Sequence, residues 1–139
     1  MKDETMKELE KDDLAMIAKR VKHQIDDLTK KADNYSLGMN EVYEYFFRWH
    51  SEEMYKVQRQ LSEYRKLRAV IGTGERVEVV KYLENKIMNI TNDLLNGRQR
   101  LNSTSEIRNL AYALDLEAGQ QIREKLIDYL ESMKTTVKQ

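Results

Sequence analysis

The stretch RAVIGTGERVEVV, residues 68–80, decides the fold because it separates two segments of helical periodicity. On both sides of it, apolar side chains recur at three- and four-residue steps, which places them along one face of an α-helix. Gly72 suits the left-handed residue that closes a helix, and Thr73 or Gly74 suits the cap of the next one. The stretch therefore predicts a turn between two long helices. Because the connection is so short, the two helices are expected to be antiparallel neighbours.

The same glycines raise the question of a phosphate-binding loop. A P-loop requires the pattern G-x-x-x-x-G-K-[ST], which the stretch does not contain. A dinucleotide fingerprint requires a preceding strand and a third glycine, but position 77 is Val77 and the preceding pattern is helical. The turn interpretation is therefore preferred over a phosphate site.

Four segments of the sequence carry the helical pattern, with short connections between them. The first connection is predicted over residues 34–39, where Gly38 can take a positive φ, and Asn40 then caps the second helix. The predicted helices cover residues 7–33, 40–71, 75–96 and 104–134, with residues 1–6 frayed.

The connection between the third and fourth helices is less sharply marked. Asn96 and Gly97 suit a helix end, although Leu101 keeps the apolar register if the helix continues. Ser103 and Glu106 form the pattern of a capping box, which predicts where the fourth helix begins.

Composition favours helices and excludes several kinds of site. The 139 residues include no proline and only five glycines, too few turn residues for an all-β fold. With 40% apolar residues and a formal net charge of zero, the chain is neither disordered nor suited to bind nucleic acid by bulk charge. The absence of cysteine excludes disulfides and thiolate metal sites.

The sequence contains no recognisable targeting or membrane-spanning segment. Residues 1–13 are acidic and have no apolar core of a signal peptide. No apolar run approaches the roughly 20 residues that a membrane-spanning helix needs. We therefore expect a soluble cytoplasmic protein.

These patterns predict an all-α fold, a four-helix up-down bundle formed by a single domain over residues 1–139. The stripe of the second helix alternates three- and four-residue steps, which is typical of coiled-coil-like packing. Leu67 can supply apolar surface in place of its neighbour Arg68. The stripe comprises Phe47, His50, Met54, Val57, Leu61, Tyr64, Arg68 and Ile71.

The segment VYEYFFRWH, residues 42–50, is apolar around more than half of a helix and must bury more than one face. It forms either a wide end of the core or a surface for a second copy or another protein, where aromatic residues often dominate binding. The predicted self-association or partner surface comprises Tyr43, Tyr45, Phe46, Phe47, Trp49, His50, Met54 and Val57.

His50 is the residue that most suggests a metal-binding or catalytic role, but the residues around it in the sequence do not support such a role. Di-iron bundles use Glu-x-x-His motifs, whereas position 47 is Phe47, and two histidines are few for zinc. No nucleophile motif such as G-x-S-x-G is present either. We expect no metal, no cofactor and no catalytic activity, with His50 serving as a core histidine or a device that fixes helix register.

Basic and amide side chains allow an alternative function, the binding of nucleic acid. IRNLAYALDLEAGQQIREKL, residues 107–126, loosely resembles a helix-turn-helix unit in which Asp115 caps a recognition helix, although a continuous amphipathic helix explains most of the same apolar residues. The basic groups are equally typical of ordinary helix solubility. The candidate phosphate or DNA contacts are Arg65, Lys66, Arg68, Arg76, Arg98, Arg100, Gln120, Gln121 and Arg123.

The sequence thus predicts a non-catalytic interaction or assembly protein that forms a homodimer and presents a rigid helical face, with a protein partner also possible. The alternative is a small DNA-binding regulator that uses a degenerate helix-turn-helix in residues 107–126.

Overall fold

A computed structural model describes the backbone of residues 2–100 and 104–138, and the side chains of residues 11–97 and 104–133. Within these ranges the regular secondary structure is entirely α-helical, which confirms the predicted fold class. Consecutive helices run antiparallel and pack as a four-helix up-down bundle. The helices are α1 (Lys2–Glu41), α2 (Tyr43–Ile71), α3 (Arg76–Arg100) and α4 (Glu106–Lys138).

The core of the bundle is concentrated in the half that holds the α2–α3 turn. Ile17, Leu67 and Leu83 from three different helices are all completely buried there. The α2 stripe differs from the predicted one at two positions, because Leu67 is buried while Arg68 is exposed, and Phe46 is buried while Phe47 is exposed. The core cluster comprises Leu14, Ile17, Val21, Ile25, Leu28, Ala32, Val57, Leu61, Tyr64, Leu67, Ile71, Val79, Leu83, Ile122, Leu126, Tyr129 and Met133.

The α1–α2 connection is a single residue. The predicted break over residues 34–39 is wrong, because α1 continues through Gly38 to Glu41. The prediction of a frayed N-terminal segment is wrong for residues 2–6, because α1 begins at Lys2. Only Val42, with φ −138° and ψ 87°, leaves the helical region, and no side chain caps α2, so the predicted Asn40 cap is also wrong. The Val42 amide still donates to the Gly38 carbonyl (3.0 Å) and its carbonyl accepts from the Phe46 amide (3.1 Å). One residue therefore reverses the chain with little loss of backbone hydrogen bonding.

The α2–α3 turn forms as predicted, but a different glycine supplies the left-handed residue. Gly72 keeps a helical conformation (φ −60°, ψ −19°), and the residue with positive φ is Gly74 at 77°. The Thr73 hydroxyl donates to the Val70 carbonyl at 2.7 Å, so it closes α2. The first backbone bond of α3 runs from the Val79 amide to the Glu75 carbonyl, which places the cap of α3 at Glu75 and not at Thr73 or Gly74.

The predicted end of the third helix at Asn96 and Gly97 is wrong, since α3 continues to Arg100. Ser105 caps α4, because its hydroxyl accepts from the Arg108 amide at 3.3 Å. The predicted capping residue Ser103 lies outside the described residues. Position 97 of α3 requires a residue without a side chain, because α3 and α4 approach each other closely there. A Cβ atom on Gly97 would lie 2.5 Å from Leu116 Cδ1.

We expect Gly97→Val to lower the free energy of unfolding by about 1–3 kcal/mol, the usual cost of overpacking. The valine methyl groups would displace Leu116, which occupies the space beside Gly97. Gly38→Val is the matched control, because Gly38 is also helical and has no atom within 4 Å of a built Cβ; we expect it to stay within about 0.5 kcal/mol of the wild type. Urea unfolding monitored by circular dichroism measures both, and equal losses would contradict the close approach.

Candidate functional site

The first two turns of α2 present four large aromatic side chains to solvent. Tyr43, Tyr45, Phe47 and Trp49 are exposed to 62%, 59%, 62% and 64%, and the adjacent Val42 to 58%. We call these five residues the aromatic surface. The single-residue reversal at Val42 explains their position, because α1 can cover only one side of the helix that begins immediately after it.

Phe46 divides the aromatic surface into two flanks. Tyr43 and Phe47 are four residues apart, lie on the same side of the helix and stack with ring centroids 6.1 Å apart. Tyr45 and Trp49 have the same spacing and form the flank on the other side of Phe46. The flanks therefore extend outwards from a helix whose inner face is already packed.

Beneath the aromatic surface, a small aromatic cluster joins the two helices of the hairpin. Phe46 is only 5% exposed and meets the Tyr35 ring edge-on at 6.3 Å. His50 is half-buried, and its imidazole lies 5.6 Å from the Tyr35 ring and 5.7 Å from the Tyr45 ring. The Phe46 ring lies 6.4 Å from the same imidazole, so three aromatic rings of the described residues surround His50.

The residues predicted for the interaction surface thus divide into three groups: buried, half-buried and exposed. Phe46 and Val57 are buried in the bundle, so for these two the surface prediction is wrong. His50 and Met54 are half-buried, and Met54 packs against the core. The exposed members are the four aromatic residues of the first two turns.

Sequence reasoning missed a second exposed apolar group, at the α3–α4 connection. Leu95, Ile107 and Leu110 are 76%, 80% and 47% exposed. In an up-down bundle the α1–α2 and α3–α4 connections share one end, which we call the apolar end. Among the described residues, the large apolar side chains exposed away from this end are only Met16, Tyr55, Val77 and Met88. Ile107 belongs to an apolar stripe in the sequence, and periodicity alone could not show that its side chain would be exposed.

The candidate phosphate contacts do not form one site. Arg76 is inside the bundle, where its Nε lies 3.2 Å from Asp13 Oδ2. Arg123 is half-buried, and its Nε donates to Thr91 Oγ1 at 2.7 Å. Lys66 lies 3.7 Å from Glu63 Oε1.

The remaining candidates are exposed or undescribed. Arg65, Arg68 and Gln120 are exposed, and Gln121 accepts a hydrogen bond from Gln60. The side chains of Arg98 and Arg100 lie outside the described residues.

The helix-turn-helix prediction is wrong, because α4 runs from Glu106 to Lys138 without interruption. Asp115 lies within this helix and accepts a hydrogen bond from the Tyr55 hydroxyl at 2.9 Å, so it caps no recognition helix. Leu116, which does not fit the α4 stripe, packs against α3 at Gly97.

Neither a metal cluster nor a membrane segment is visible in the part of the chain that the structure describes. No three His, Cys, Asp or Glu side chains gather there in a way that could hold a metal ion. No helix there is both long and apolar enough to cross a bilayer. Compared with known proteins, the chain matches no protein family, no curated protein and no solved structure. Function is therefore inferred from the geometry.

Proposed function

We propose that this protein is a non-catalytic assembly protein that pairs with a second copy of itself through the apolar end. The observation that supports this most directly is the exposure of about 60% of each of four aromatic side chains on two helical turns. Aromatic residues bury large rigid areas at little entropic cost, which makes them the usual anchors of protein interfaces.

The area available at the apolar end fits a dimer. Four aromatic side chains of about 200 Å² each, covered over the 60% that is exposed, contribute roughly 500 Å² per protomer. A standard interface buries about 800 Å² per partner. Val42, Leu95, Ile107 and Leu110 are exposed nearby and supply apolar area towards the remainder.

Charge favours a crosswise arrangement of the two copies. Residues 37–53 carry four glutamates and one arginine, a formal charge of −3, whereas residues 96–108 carry three arginines and one glutamate, a formal charge of +2. A two-fold axis would set the α1–α2 connection of one copy beside the α3–α4 connection of the other. Two segments of opposite formal charge would then face each other across the axis, which steers association.

A row of exposed charged residues on α2 lies in the middle of such an interface. Glu44, Arg48 and Glu52 are exposed and follow one another at four-residue steps between the two aromatic flanks. Charged side chains in this position must meet opposite charges on the second copy, which favours one register of the pair.

Size-exclusion chromatography with light scattering tests this proposal. We expect a mass of twice 16.5 kDa at micromolar concentration and a tighter dimer at low salt than at high salt, because opposite charges contribute to pairing. A mass of 16.5 kDa up to about 100 µM, a concentration that would reveal even weak pairing, would overturn self-association.

A further inference from the structure

A polar groove with a volume of about 410 Å³ is formed by residues of α1, α2 and α4. Small-molecule pockets commonly have volumes of roughly 300–1,000 Å³. The uncharged side chains of the groove are those of Gln24 on α1, Gln60 and Tyr64 on α2, and Gln121 on α4. None of the described residues that line the groove belongs to the apolar end, so the two surfaces can be tested separately.

The polar groove contains a buried hydroxyl group without a partner. Tyr64 is only 1% exposed, and its hydroxyl forms no hydrogen bond with any of the described residues. Among those residues, the side-chain polar atoms that are both unpaired and sealed from solvent are Asp13 Oδ1 and Glu63 Oε2. Because the Tyr64 hydroxyl is not one of these, it must reach the open space of the groove. Buried hydroxyl groups normally have a hydrogen-bond partner, which an occupant of the groove would supply.

The Tyr64 hydroxyl keeps its proton and can therefore act as a donor. Burial, followed by the influence of the nearby Tyr129, raises the pKa of Tyr64 well above its usual value. A protonated phenol donates one hydrogen bond and can also accept one.

The three glutamines add amide groups with unused hydrogen-bonding capacity. Gln60 Nε2 donates to Gln121 Oε1, which leaves the Gln60 carbonyl oxygen as an acceptor and the Gln121 amide nitrogen as a donor. The Gln24 amide is half-buried and has no partner among the described residues. An amide presents an acceptor and a donor side by side, so Gln24 can pair with a ligand edge that carries both. Amides and a phenol are all neutral, which suits an uncharged ligand edge.

The charged residues of the polar groove lie on α4 and are exposed. Glu124 and Asp128 are four residues apart and share one side of the helix, with Lys125 next to Glu124. Two carboxylates and one ammonium give this rim a formal charge of −1, which disfavours a phosphate. Carboxylates accept hydrogen bonds from ribose hydroxyls in dinucleotide-binding proteins, so the rim suits a sugar.

We propose that the polar groove binds a nucleoside that carries an adenine base. Glutamine pairs with adenine through two hydrogen bonds, to N6 and N7, and Gln24 has the unpaired amide that this requires. The Tyr64 hydroxyl donates to a ring nitrogen of the base, and the ribose hydroxyls donate to the carboxylates of the rim. A cavity of about 150 Å³ in another protein holds benzene, so about 410 Å³ accommodates the rings of a purine and its ribose.

Nuclear magnetic resonance of the 15N-labelled protein, titrated with adenosine to about 10 mM, tests the proposal in a range that detects millimolar affinity. We expect saturable shifts of the side-chain amide signals of Gln24, Gln60 and Gln121, because all three line the groove. Gly72 and Gly74, in the α2–α3 turn, should not move and serve as internal controls. Purine riboside lacks the 6-amino group, and adenosine monophosphate adds a phosphate that the acidic rim repels, so both are expected to bind more weakly.

Gln24→Met keeps the length of the side chain and removes its amide. We expect it to weaken adenosine binding roughly tenfold or more, the effect of losing a bidentate contact to the base. Gln58→Met makes the same change at an exposed position of α2 outside the groove and should leave binding unchanged. Tyr64→Phe keeps the aromatic ring in the core and removes only the hydroxyl, and we expect binding about three- to tenfold weaker, the effect of losing one hydrogen bond.

Three results would overturn the proposal. The absence of saturable shifts at the three glutamine side chains would mean that the groove holds water only. Binding of purine riboside or of adenosine monophosphate as tight as that of adenosine would contradict the assigned base edge or the acidic rim. Unchanged binding by a folded Gln24→Met or Tyr64→Phe variant would contradict the contacts that define the site.

Discussion

Arg76→Met is expected to lower the free energy of unfolding by about 3–5 kcal/mol, the usual cost of removing one partner of a buried ion pair. Asp13 is 1% exposed, and Arg76 is the cation beside it, with Nε 3.2 Å from Oδ2. The same guanidinium donates to the Met133 carbonyl at 2.6 Å. Among the described residues, Arg76 alone forms an ion pair with Asp13, so methionine would leave that carboxylate buried without a described counter-charge and would weaken contacts among α1, α3 and α4.

Urea unfolding monitored by circular dichroism measures this loss. Arg65→Met is the matched control, because Arg65 is exposed on α2, and we expect a change within about 0.5 kcal/mol. The double variant Asp13→Leu/Arg76→Met should recover most of the lost stability, since it removes both charges together. If Arg76→Met costs no more than Arg65→Met, the pair is not isolated from water.

The fold could be predicted from the sequence because its cause is local. Apolar side chains at three- and four-residue steps specify a helix and its buried face at once, and the residues so identified on α1, such as Ile17 and Val21, are buried in the core. The exact connections could not be predicted in the same way. An isolated glycine in a helix costs only about 1 kcal/mol, and the packing of Tyr35 on Phe46 helps α1 to continue through Gly38.

The positions of residues that depend on a partner distant in the sequence could not be predicted either. The choice between Phe46 and Phe47 follows from the reversal at Val42, which sets where α1 meets α2. Arg76 resembles a surface residue near a turn, and only the folded chain shows that Asp13, on another helix, places it inside. Gly97 resembles a helix end until Leu116 is seen against it. The exposed aromatic residues were identified because their number alone exceeded what one helix face can bury.

Trp49→Glu is expected to weaken self-association by about 100-fold or more. Removing a central aromatic residue from an interface commonly costs at least 2 kcal/mol of binding free energy. The buried charge of the glutamate adds to this loss. Each 1.4 kcal/mol is a factor of ten in affinity. The fold should remain intact, because Trp49 is 64% exposed in the single chain and belongs to no part of the core. Light scattering measures the mass of the variant, and thermal unfolding at low concentration measures its stability.

Val77→Glu provides the matched control, because Val77 is 60% exposed near the α2–α3 turn, at the opposite end of the bundle. It introduces the same charge and should leave the dimer intact. Trp49 is the only tryptophan of the chain, so its emission is expected to shift to longer wavelength as the wild-type dimer dissociates on dilution. If Trp49→Glu remains a dimer, or if Val77→Glu dissociates it equally, the two copies pair through some surface other than the apolar end.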